Sequence, residues 1–479
     1  MDEAVLKTQT HPVSDACETC QMSVAELTTA YASGALSPVE VTRDALKRAH
    51  EAQALCNAFA RIDEESALAS AAASEARWKA GEAVSAIDGV PGTIKDIVQI
   101  AGWPVSNGSH LCDDTPCAED APSVAKLRGA GMVLLGTTTT PEFGWKALTD
   151  SHRWGITRNP WNTDVTPGGS SGGAAAAASM GAGVLHLGSD GGGSIRIPSA
   201  FTGISGIKPT FGRVPAYPAS AFGTVAHIGP MARRVEDVEQ MLTVMSGRDR
   251  RDWFQGEAPL HQLAAHETSP AGLRIAVWSN PPVGTVEPAV AAAFEAAVAR
   301  FRAAGAELEE IALPMSDQLY DIATTLWFCG ARARLEGFGP LDSLPRDRID
   351  PGVMAIAEEA MGWTTTDYIS AVNARAAFGS QMDKLFERFD YIIAPGCAVL
   401  PFKAGEEVPP GSGMDRWFQW AGFSFPINLT QQPAAVVPNG VDAEAGLPHS
   451  LQIISARGRD SAVLALAKWW QRQDPAHLL

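Results

Sequence analysis

The sequence predicts an α/β protein, with its elements stacked as a large α/β/α layered domain. Three observations carry that expectation. Short apolar runs of strand length alternate along the chain with longer segments of helical periodicity. Turn residues punctuate them, with 45 glycines and 32 prolines in 479 residues. A content of 46% hydrophobic against 19% charged residues suits a chain that buries a sizeable core. Strands alternating with helices stack in layers, because each element has an apolar face to bury. Length alone allows two or three domains, or a single large α/β domain.

Residues 1–22 read as an N-terminal tail, opening acidic at Met1-Asp2-Glu3 without the basic region and apolar stretch of a secretion signal. Residues 23–80 carry helical spacing, and Ser23 with Glu26 has the order of a capping box. Residues 88–98 read as a turn feeding a short buried strand that contains Lys95. Residues 121–136 read as helix then strand, parted by Gly129-Ala130-Gly131. The alanine run after Gly173 is helical by propensity, and 184–187 is a strand leading into Ser189-Asp190. A strand at 274–278 precedes an amphipathic helix over 288–304, with Val290, Phe294, Val298 and Phe301 on one face and Gly305 as its cap. A strand returns at 308–313. Further strands are expected at 391–393, 434–437 and 451–454, and a closing helix over 461–473.

The formal net charge of -17 opposes binding to nucleic acid or an anionic membrane, since both select basic surface. The run from 172 to 188 is mostly Ala and Gly, too weakly hydrophobic to span a bilayer. A soluble, cytoplasmic protein is expected. Seven cysteines, an odd number, read as mostly free thiols. Cys17-Glu18-Thr19-Cys20 is a lone CxxC, and a zinc site needs a second, so no metal is expected.

Chemistry gathers in two blocks, Gly168-Gly169-Ser170-Ser171-Gly172-Gly173 and Ser189-Asp190-Gly191-Gly192-Gly193-Ser194-Ile195-Arg196. Glycines before a serine let the backbone turn tightly and present its N–H groups. A row of such groups can hold an oxyanion, and a serine ending the row can attack the carbonyl held there. That serine needs a base. His186 is near in sequence, but on a predicted strand it reads as structural. Lys95 is the other candidate, because burial lowers a lysine's pKa and can leave it neutral near pH 7. A lysine snorkelling from a strand end is the plain alternative. Gly168-Gly169-Ser170-Ser171-Gly172 also fits the GxSxG pattern of α/β-hydrolases, with Ser170 as nucleophile and a histidine such as His449 as base. That reading leaves Lys95 and the second block without roles. A phosphate loop would require Gly-Lys-Ser/Thr after the glycines, which is missing.

The order of Lys95, the Gly-Gly-Ser-Ser block and the Asp-Gly-Gly-Gly-Ser block resembles the amidase signature family, hydrolases with a Ser–Ser–Lys triad. Flanking blocks match too, among them Gly89-Val90-Pro91, Asn159-Pro160-Trp161-Asn162, Gly206-Ile207-Lys208-Pro209-Thr210, Gly229-Pro230-Met231-Ala232-Arg233 and Gln432-Pro433-Ala434. The resemblance spans roughly residues 23–475 and implies one amidase signature domain there, with a mixed central sheet. It implies Ser194 as nucleophile, Lys95 as the ultimate base and Ser170 as the bridge between them, following a cis Gly169–Ser170 peptide. Gly191, Gly192 and Gly193, with the Ser194 N–H, would form the oxyanion hole. Ser171 would hydrogen-bond behind the triad, and Asp190 and Arg196 would brace the loop. Such a triad needs no cofactor.

The family implies a small-molecule substrate, here an aryl or apolar linear amide, with carbamates (urethanes) and esters open to the same chemistry. Trp327 and Phe328 are the pocket candidates, and the chain is expected as a monomer or homodimer. The same residues also allow the A-type component of a glutamyl-tRNA amidotransferase, which shares the triad but works within a multi-subunit complex. Three departures stand out. Gly191 lies where threonine, isoleucine or glutamine is frequent, which predicts a looser hole. Gln431, and His449-Ser450, lie where a glycine is usual.

Overall fold

The computed structural model describes residues 18–256 and 268–473. Its strands, in chain order, are β1 (Phe59–Ile62), β2 (Pro91–Lys95), β3 (Val133–Thr138), β4 (Asp150–Ser151), β5 (Gly155–Ile156), β6 (Leu185–Asp190), β7 (Ser205–Lys208), β8 (His227–Ala232), β9 (Arg274–Val277), β10 (Glu307–Glu310), β11 (Tyr391–Pro395), β12 (Ala434–Val441) and β13 (Pro448–Ile454). Eleven of them form one sheet in the order β1-β3-β2-β6-β8-β7-β12-β13-β11-β9-β10, and β4 and β5 pair apart. The sheet is mixed. β3, β2 and β6 run parallel, as do β11, β9 and β10, and the strands between them alternate in direction. This is the α/β fold the sequence predicts.

Both faces of the sheet are covered, so its central strands read as continuous apolar runs. Along β11, Tyr391 and Ile393 enter one large apolar cluster, while Ile392 and Ala394 enter the other. Helices Val235–Met245 and Asp460–Gln473 pack on the first side. Helices Arg196–Thr202, Leu319–Glu336 and Phe425–Thr430 pack on the second, which is the side of the catalytic candidates. Among the described residues, no helix is long and apolar enough to cross a membrane.

Several expectations change. Residues 23–80 are not helical throughout: helices Val24–Ser33, Pro38–Cys56 and Glu64–Ala80 enclose β1. Left-handed caps at Gly34 and Asn57 break the run, and the short β1 then pairs with β3 at the sheet edge. The capping box on Ser23 forms, with the Glu26 N–H donating to Ser23 Oγ at 3.2 Å. The tail does not extend to residue 22. Glu18–Gln21 makes a helical turn, Cys20 is buried, and the Arg233 guanidinium donates to its carbonyl. Cys17 and the rest of the expected tail lie outside the described residues. The strand expected over 308–313 is β10, which ends at Glu310; it closes the sheet with Glu307, Glu309 and Glu310 exposed. Gln431 caps helix Phe425–Thr430 at φ 68°, a left-handed position that explains why glycine suits it.

Candidate active site

β2 and β6 are parallel neighbours, with Ile94 opposite Leu187, so both bring their C-terminal ends to one side of the sheet. Ligand sites of α/β sheets form at such ends. Lys95 is the last residue of β2 and is fully buried. Its Nζ lies 2.6 Å from Ser170 Oγ, 3.0 Å from Ser171 Oγ and 3.1 Å from Ser189 Oγ. Burial pushes its pKa well below the ordinary lysine value, against the opposing charge of Asp190. Ser171 Oγ donates to the Ser189 carbonyl at 3.2 Å, so it must accept from Lys95. Nζ thus has three hydroxyl oxygens as its hydrogen-bond neighbours.

The segment carrying Ser170 is fastened from several sides. The Gly169–Ser170 peptide is cis. A Cβ on Gly169 would fall 2.1 Å from the Leu148 carbonyl oxygen, so only glycine fits. Thr149 Oγ1 donates to the Gly168 carbonyl at 2.9 Å and accepts from the Gly172 N–H at 3.0 Å. The Ser171 N–H donates to the Ser194 carbonyl at 3.2 Å, which ties the two serine blocks together.

The loop after β6 is built around Asp190. Its carboxylate pairs with Arg196, at 2.9 Å to Nε and 3.0 Å to Nη2, with both side chains fully buried. Arg196 also donates to Gln452 Oε1 at 2.8 Å and Asn428 Oδ1 at 2.6 Å. Burial would raise the Asp190 pKa, but the Arg196 charge and its hydrogen bonds hold the carboxyl well below the usual range. The Gly193 N–H donates to Asp190 Oδ1 at 2.8 Å. This corrects the expected oxyanion hole: the Gly193 donor is already spent on the loop's own brace. The N–H groups of Gly191, Gly192 and Ser194 have no hydrogen-bond partner among the described residues.

Ser170, Ser194, Gly191, Trp327, Phe222 and Phe143 border a common cavity of about 520 Å³. Trp327 Nε1 donates to the Trp145 carbonyl at 2.8 Å, and its ring stacks on Phe222 with centroids 3.8 Å apart. A Cβ on Gly191 would lie 2.9 Å from Trp327, and one on Gly192 would lie 2.8 Å from Trp417. The looser hole expected from Gly191 is therefore corrected, because indole rings occupy the space its side chain gives up. Phe328 is also corrected. It is buried away from the cavity, stacked on Trp363 at 5.6 Å beneath Arg416. Consecutive residues of a helix point about 100° apart, and here the turn from Trp327 to Phe328 carries the second ring away from the cavity.

His186 and His449 stand apart from the serines. His186 is buried on β6, its Nδ1 2.9 Å from Thr93 Oγ1, and burial pulls its pKa down to about 3. His449 lies 3.4 Å from Asp442 and borders a different cleft, beside helix Pro288–Ala303. Ser170 thus has a lysine as its basic neighbour, not the histidine that the GxSxG reading requires. His227 was not singled out in the sequence. It borders the cavity, with Nδ1 2.8 Å from the Val225 carbonyl and Nε2 3.4 Å from Lys208 Nζ. Lys208 sits in the Gly-Ile-Lys-Pro-Thr block, and a second lysine inside an apolar run was the signal that could have found this pair.

A serine–lysine cluster at the C-terminal ends of parallel strands, beneath an aromatic cavity, defines the class of site. Residues 40–464 match the Amidase family, and the chain belongs to it, the amidase signature family. The chain is 33% identical over 471 residues to an acylamidase of Rhodococcus erythropolis, covering 96% of this chain and 98% of that one. It is 34% identical over 484 residues to the A-type component of the glutamyl-tRNA(Gln) amidotransferase of Chloroflexus aggregans, covering 95% of this chain and 97% of that one. Among solved structures it is similar to a bacterial aryl acylamidase of the same family, with TM-score 0.88 and 29% identity over 96% of this chain and 98% of that one.

Proposed function

We propose that the chain is an amidohydrolase that cleaves the C–N bond of aryl or apolar linear amides through an acyl-enzyme on Ser194. The observation that carries this reading is the fully buried Lys95 Nζ at 2.6 Å from Ser170 Oγ. Ser194 Oγ attacks the amide carbonyl and gives its proton to Ser170, which passes its own to Lys95. The developing oxyanion accepts hydrogen bonds from the N–H groups of Gly191, Gly192 and Ser194. The C–N bond then breaks, and the amine leaves with the proton returned from Lys95 through Ser170. Water retraces the path, releasing the acid and restoring Ser194. The aromatic wall of Trp327, Phe222 and Phe143 supports an apolar or aromatic substrate. Carbamates and esters present the same carbonyl to the same groups.

The test is Ser194→Ala. It should abolish turnover of an acyl anilide while the fold survives, and a serine-directed phosphonate should label Ser194 in the wild type. Label on Ser170, with Ser194→Ala still active, would refute the reading. Anilides, primary amides and aryl carbamates assayed in parallel would rank the substrates, and a metal chelator should leave the rate unchanged. A second reading, the A-type component of an amidotransferase, draws on the 34% identity to that protein. Purified alone, such a component would cleave arylamides poorly and would co-purify with partner chains.

A further inference from the structure

Helix Leu319–Glu336 borders the cavity with Trp327 and, about two turns further on, with Arg334. The Arg334 guanidinium lies 4.6 Å from the ring centroid of Phe143 and 5.1 Å from that of Phe338. Two aromatic rings thus flank the guanidinium where Arg334 borders the cavity. Its neighbour Arg332 pairs with Glu336 at 2.9 Å. Arg334 has no carboxylate at ion-pair distance and no hydrogen-bond acceptor among the described residues, although the chain carries a net charge of -17. The other charged group bordering the cavity, Asp252, is turned into its own loop. It accepts the N–H groups of Ala216 at 2.9 Å, Phe254 at 2.9 Å and Gln255 at 3.2 Å. The wall thus presents a positive charge that none of the described residues neutralises, set among apolar surface where a charge-assisted hydrogen bond is strong.

We propose that Arg334 is a carboxylate-binding subsite of the cavity, so that the substrate is an amide bearing a carboxylate apart from the bond that is cleaved. The planar guanidinium fork matches a carboxylate in a bidentate arrangement, and the rings beside it fit the apolar link between carboxylate and amide. This proposal rests on the amide-hydrolysis reading above for its substrate, but not for its binding test.

Two matched pairs of probes test it: the mono-4-nitroanilide of glutaric acid against its methyl ester, and 4-acetamidobenzoate against its methyl ester. They place the charge on the acyl side and the amine side in turn. The wild type should prefer the free carboxylate of at least one pair by about 10- to 100-fold in kcat/KM, through KM, with the preference falling as salt rises. Arg334→Gln should erase that preference while turnover of the esters stays within about twofold, and Arg334→Lys should retain part of it. No preference in either pair, or one that survives Arg334→Gln, overturns the proposal. Binding is read separately by titrating glutarate and 4-acetamidobenzoate against tryptophan fluorescence in Ser194→Ala and in Ser194→Ala/Arg334→Gln. Binding lost with Arg334 supports the subsite, and equal binding in both overturns it. If the wild type cleaves none of the probes, the hydrolase reading fails while this titration still decides the role of Arg334.

Discussion

The Trp327 ring stands 2.9 Å from the place a Cβ on residue 191 would take, so Gly191 and Trp327 share one space. The indole cannot readily yield, since it is hydrogen-bonded to the Trp145 carbonyl and stacked on Phe222. The small residue in the loop that leads to Ser194 and the large one on a distant helix are two halves of one packing solution.

Gly191→Ile should therefore destabilise the fold by about 1–3 kcal/mol, through overpacking. Gly191→Ile/Trp327→Ala should recover part of that loss, so the two effects will not add. Urea midpoints of the single and double variants measure the coupling, and simple additivity would show that the two residues do not compete.

Lys95 gives a pH dependence with a definite sign. Its folded pKa lies below its ordinary value of 10.5, so between the two the unfolded chain binds a proton that the folded chain does not. Wild-type stability should rise with pH across that window, by up to about 1.4 kcal/mol per pH unit. Against Lys95→Met, which lacks the group, the wild type should gain steadily as pH approaches 10.5. Denaturation at several pH values reads this directly. In activity, the rate should climb with pH and level off as Lys95 loses its proton. Lys95→Ala should harm amide cleavage more than cleavage of an activated ester, because the amine also needs a proton returned.

Asp190→Asn leaves the fully buried Arg196 charge without its partner. A loss of about 3–5 kcal/mol in stability is expected, read from the thermal midpoint. The loop bearing Gly191, Gly192 and Ser194 would lose its brace, so kcat should fall by about 10²-fold or more in protein that still folds.

His186 predicts sensitivity to acid. Its ring stays neutral in the fold down to about pH 3, whereas in the unfolded chain it takes a proton near 6.5. The stability of the neutral ring is fully present above 6.5 and is lost as pH falls toward 3. His186→Gln should flatten that part of a melting-temperature curve against pH.

Much of the site was legible because its parts are local blocks. Lys95 stands out as a charge in an apolar run, and glycines beside Ser170 and Ser194 mark tight backbone. The long apolar runs that became β2, β3, β6 and β11 were readable because both their faces are buried. What escaped depends on distant segments or on direction. β1 has four residues, lies between helices and pairs only once the sheet exists. Helix Thr365–Arg388 buries few side chains along its length, among them Ala371, Phe378 and Met382, so its apolar stripe is faint. The engagement of the Gly193 N–H by Asp190, and the turning of Phe328 away from the cavity, are matters of orientation that residue type does not report. Arg334 reaches the cavity from a helix far along the chain from either serine block, and His227 comes opposite Asp190 only through the pairing of β8 with β6.

Among the described residues the sheet ends on one side at β10, whose Glu-Leu-Glu-Glu sequence pairs only with β9 and leaves its outer edge open. Arg388 engages Glu309 at 2.7 Å, while Glu307 and Glu310 remain in solvent. Another chain seeking to add a strand there would bring its own backbone against this row of carboxylates and would have to strip their water. The acidity of this short strand thus opposes edge-to-edge pairing with another chain.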